Sequence, residues 1–73
     1  MKETTIIYYL DGIVVDQCEW NRTLDECIAA VQAKAYDRET KSAIRTAVFS
    51  DIECGRTSIV NGHKFCKISR VVL

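Results

Sequence analysis

The chain has 73 residues, ten Lys and Arg against ten Asp and Glu, 48% hydrophobic residues, no Pro and only three Gly. That is enough for one modest core and a single domain over residues 1–73, and too apolar for a disordered chain. No apolar run approaches the ~18 residues of a membrane span, and the start lacks the apolar stretch of a secretory signal, so a cytoplasmic protein is expected.

The balanced charge is unevenly spread. Residues 1–37 hold Lys2, Arg22 and Lys34 against Glu3, Asp11, Asp16, Glu19, Asp25, Glu26 and Asp37. Residues 38–73 reverse this, with Arg38, Lys41, Arg45, Arg56, Lys64, Lys67 and Arg70 against Glu39, Asp51 and Glu53. Such polarity steers a charged partner or favours self-association, unless the halves interleave in space.

Thr4–Leu10 is rich in β-branched and aromatic residues and is followed by Asp11-Gly12 and then Ile13-Val14-Val15. Asp-Gly between two such runs predicts a two-residue hairpin, because a type I′ turn needs positive φ at both central positions. Leu10 then pairs with Ile13 and Tyr8 with Val15, which puts Ile6, Tyr8, Leu10, Ile13 and Val15 on one sheet face. The other face carries Ile7, Tyr9 and Val14, more apolar than a solvent face needs to be.

The second strand is expected to fade near Cys18–Trp20. Thr23-Leu24-Asp25-Glu26 has the form of a capping box, and Leu24, Cys27, Ile28, Val31 and Ala35 recur at helical spacing. A helix from about Leu24 to Tyr36 follows. From Ser42 to Gly55 the pattern reads as a strand, with Ile44, Val48, Ile52 and Cys54 on one parity and Ala47 and Phe49 on the other. Thr57–Val60, the Asn61-Gly62 turn and the run from His63 complete a second hairpin. On that last strand Cys66 and Ile68 share one face, taken as the buried one, and Phe65, Lys67 and Ser69 share the other. The predicted fold is α+β: an antiparallel sheet of about five strands in the order ββαβββ, with one helix packed on one face.

Chemistry finds little footing. Cys18, Cys27, Cys54 and Cys66 are too widely spaced for a zinc knuckle. His63 and Cys66, the closest pair, fall on opposite faces of a strand. The cysteines are expected to be reduced packing thiols, with no metal and no cofactor. No Gly-rich phosphate loop occurs, and a non-catalytic role is expected.

Binding is therefore the expected mode. Tyr9, Trp20 and Tyr36 are candidate aromatic anchors, and Arg56, Lys64, Lys67 and Arg70 a candidate polar rim. Phe65 beside Lys64 and Lys67 also suggests a second reading, stacking and phosphate contact with nucleic acid on the C-terminal strands. A third is a homodimer joined through exposed strand edges or through the second sheet face. In size, in its two hairpins flanking a helix and in lacking a catalytic set, the chain resembles the small inhibitor proteins of bacteriophages and mobile elements, the anti-CRISPR proteins among them. That resemblance implies a protein partner, a host defence complex whose nucleic-acid access is blocked.

Overall fold

The computed structural model describes residues 3–72. The chain runs β1 (Glu3–Leu10), β2 (Ile13–Val15), α1 (Gln17–Gln32), α2 (Arg38–Glu53), β3 (Ser58–Val60) and β4 (His63–Val72). Over the described residues it is an α+β fold with four strands and two helices, not five strands and one. All pairings are antiparallel and the sheet order is β2-β1-β4-β3, so the two long strands lie side by side in the centre.

Both hairpins form as their turn residues dictate. Asp11 and Gly12 take φ of 54° and 81°, Asn61 and Gly62 49° and 82°, the left-handed pair a type I′ turn requires. The first register is Tyr8 opposite Val15 and Leu10 opposite Ile13. The two turns meet at one end of the sheet. There the Asp11 carboxylate accepts from the Lys64 backbone N–H at 2.9 Å and bonds His63 Nδ1 at 2.8 Å.

The helices depart from expectation in two ways. α1 begins at Gln17 rather than Leu24, because Asp16 is the N-cap and its carboxylate accepts from the Glu19 N–H at 2.8 Å. Starting there puts Trp20 on the same stripe as Leu24, Cys27 and Ile28, all buried. Thr23 lies inside the helix, not at its cap. The predicted strand at Ser42–Gly55 is α2, capped by Asp37, which accepts from the Thr40 N–H at 2.6 Å. Its buried residues, Val48 and Ile52, are one turn apart.

Both helices lie on one face of the sheet, over Tyr8, Leu10, Val15, Val60 and Phe65. The core is closed by Trp20, whose ring lies 5.0 Å from Tyr8 and edge-on to Phe65 at 6.0 Å. Its indole N–H donates to the Tyr9 carbonyl at 3.1 Å, so the polar end of the buried ring is satisfied. The helix layer stops short of the far end of the sheet. There the outer halves of β1 and β4 continue as a two-stranded arm on which Ile6, Ile68 and Val71 are exposed. With this arm the molecule extends 48 Å along one axis and only 20 and 17 Å along the others.

Candidate partner-binding sheet face

Alternation along each strand assigns the face away from the helices. It carries Thr5, Ile7 and Tyr9 from β1, Val14 from β2, Ile59 from β3, and Lys64, Cys66, Ile68 and Arg70 from β4. No helix covers it. Val14 is 62% exposed and Ile59 69% exposed, one on each edge strand, with Ile68 exposed and Ile7, Tyr9 and Cys66 half-buried between them. Tyr9, Lys64, Cys66 and Ile68 also line a shallow hollow of about 240 Å³ on this face.

Among the described side chains the charges of this face are of one sign. Lys64 and Arg70 are its only charges among the described side chains, and neither has a carboxylate within ion-pair distance there. Elsewhere the acidic and basic halves of the chain do interleave. Arg45 approaches Asp25 at 4.0 Å and Asp11 bonds His63 at 2.8 Å, whereas the Lys67–Glu53 pair at 2.8 Å lies within the C-terminal half. Lys64 and Arg70 thus stand without an ion-pair partner on an apolar surface.

The eight residues singled out from the sequence do not form one site. Tyr9, Lys64 and Arg70 share the open face. Trp20 and Phe65 are core residues, 3% and 0% exposed, and touch other side chains rather than solvent. The parity assigned to β4 is therefore reversed: Phe65 and Lys67 point to the helices, and Cys66 and Ile68 point away. Lys67 is occupied by Glu53. Tyr36 is fully exposed but lies in the α1–α2 connection, outside the sheet. Arg56 sits in the α2–β3 connection with Asp51 at 3.9 Å. Val14, placed on the second apolar face by alternation, and Ile59 were not among the eight. Their signal was present, since each is a β-branched residue flanked by inward-facing ones beside a turn.

Among the described residues no three His, Cys, Asp or Glu side chains converge as metal ligands would. All four cysteines are free. Only Cys27 is a core residue; burial pushes its thiol above the usual range. Cys18 and Cys54 are exposed, contrary to a packing role. No described helix is long and apolar enough to cross a membrane.

Fold and face together define a class: a two-layer α+β domain whose sheet is covered on one side and open on the other. No protein-family model, curated protein or solved structure matches this chain.

Proposed function

We propose that this protein is a non-catalytic binding module that docks an acidic protein surface on its uncovered sheet face. The observation that carries the proposal is the combination of exposed Val14, Ile59 and Ile68 with the unmatched cations Lys64 and Arg70. An apolar centre with a one-signed rim is the anatomy of a protein interface, in which apolar contact supplies affinity and charge supplies orientation. Small phage inhibitors act by occupying a surface that a host complex needs for nucleic acid, and that is the role proposed here.

Affinity purification from a host lysate tests this. A stoichiometric partner is expected with the natural chain and with Tyr36→Ala, and is expected to be lost with Ile59→Asp. A partner retained by Ile59→Asp, or no partner at all, overturns the proposal.

One observation favours a second reading. Tyr9 lies on a central strand with Lys64 lining the same hollow, an arrangement that can stack a base and hold a phosphate. Under that reading, labelled single-stranded oligonucleotides bind at low salt, affinity falls steeply as salt rises, and Lys64→Glu abolishes it. No binding at low salt eliminates it.

A further inference from the structure

The arm formed by β1 and β4 leaves backbone unpaired. β1 pairs with β4 from Glu3 opposite Val72 to Leu10 opposite Phe65, whereas β3 pairs only with residues 63–65 of β4. Beyond Phe65, β4 therefore has an open edge over residues 66–72. The hydrogen-bond phase says which groups point outward. The Asp11 N–H bonds the Lys64 carbonyl at 2.9 Å, so even-numbered residues of β4 bond β1 and odd-numbered ones face the other way. The N–H and C=O groups of Lys67, Ser69 and Val71 thus line the open edge, and among the described residues no strand meets them. In the chain entering β3 the Arg56 N–H turns back to the Asp51 carbonyl at 2.9 Å rather than to this edge.

This edge is complementary to itself. Two copies laid antiparallel about a twofold axis at Ser69 place Ser69 opposite the partner's Ser69, and Lys67 opposite the partner's Val71. Each of these is an outward-facing residue, so all three pairings are hydrogen-bonded ones, and no two like charges stand opposite each other. Among the described residues the overlap stops with the partner's Val72 opposite Cys66, one position short of Phe65, where Ser58 of β3 pairs. The side chains fit as well. The partner's Val71 arrives beside Lys67 on the helix side, at a groove of about 460 Å³ walled by Ile6, Ile52, Gly55 and Ser69. The open edge of β1 is the weaker competitor. β2 covers Tyr8–Leu10, leaving only Thr4 and Ile6 facing outward on that edge.

We infer that the protein forms a twofold-symmetric dimer through the β4 edge, in a register centred on Ser69, giving one continuous eight-stranded sheet. Both helix layers then lie on one side of that sheet and both open faces on the other, a single platform of doubled length. The inference does not rest on the proposed function, since Ile59, the residue that tests partner docking, lies on β3 and away from the paired edge.

The test is sedimentation equilibrium on the natural chain and two variants. The natural chain is expected to show twice the chain mass. Ser69→Pro removes a donor that β1 does not use, and is expected to weaken dimerisation by about tenfold or more. Thr4→Pro, on the competing edge, leaves the dimer unchanged. A second measurement holds if Ser69→Pro fails to fold. Ser69→Cys, with Cys18, Cys54 and Cys66 replaced by Ser, places the two thiols across a strand pair with Cα atoms about 5.5 Å apart, within disulfide reach. Mild oxidation is expected to give a covalent dimer linked 69 to 69. A monomer at the highest soluble concentration, or a dimer that gives no such cross-link, overturns the inference.

Discussion

Phe65 is fully buried between the sheet and Trp20, while its neighbours on β4, Lys64 and Cys66, face the opposite side. Phe65→Ala is therefore expected to cost about 3–5 kcal/mol, a cavity in a core this small, and to unfold much of the population. Urea denaturation measures it, with Arg70→Ala, expected to shift stability by less than about 0.5 kcal/mol, as the surface control. Charge gives a residue-scale prediction too. Hydrogen bonding from His63, then from the Lys64 N–H, holds the Asp11 carboxyl below its usual range, and the Thr40 hydroxyl and N–H do the same for Asp37. Lowered folded-state values mean that the unfolded chain binds more protons at acid pH. The stabilisation is complete above the ordinary carboxylate value of 3.8 and is lost as pH falls below it towards the folded-state values. Denaturation midpoints measured between neutral pH and strong acid are expected to fall across that window, and to fall less in Asp11→Asn.

At the scale of elements, the hairpins were legible in the sequence and the helices only partly so. Asp11-Gly12 and Asn61-Gly62 act within four residues, and the turn geometry they impose sets the register of the strands that follow. Gly62→Ala is expected to cost about 1–2 kcal/mol, because an L side chain is strained at its φ of 82°. For α2 the pattern was ambiguous. Ile44, Val48 and Ile52 are spaced by four, and four is both a multiple of the strand period and close to one helical turn. The signals that could have decided it were local: Asp37 ahead of a good helix-forming run, and Ala43 and Ala47, which suit a helix better than a strand. For α1 the cap is Asp16, whose carboxylate accepts from the Glu19 N–H, and not the Thr23…Glu26 box read from the sequence. Asp16 wins because starting there brings Trp20 onto the buried stripe, a gain in apolar burial that no capping preference can match. Asp16→Ala should accordingly lower stability by about 1 kcal/mol, read by thermal melting, whereas Thr23→Ala should leave the helix start unchanged.

The whole molecule is a sheet half covered. Two helices shield one face at the turn end; the opposite face and the arm are left to solvent or to partners. That layout separates the two proposed contacts, a partner protein on the open face and a second copy along β4, so that Ile59→Asp and Ser69→Pro should disable different things. The residue pattern alone determined the α+β class, both hairpins, the strand pairings within them and the existence of a second apolar sheet face. All are set by interactions between near neighbours in the chain. Which face the helices cover, and hence whether Phe65 or Cys66 looks outward, was decided only in the tertiary structure. So was the length of β4 edge left open. Alternation fixes which residues go together, but both faces here are apolar enough to be buried, and only the competition among Trp20, Leu24, Ile28 and Ile52 for one surface settles which one is.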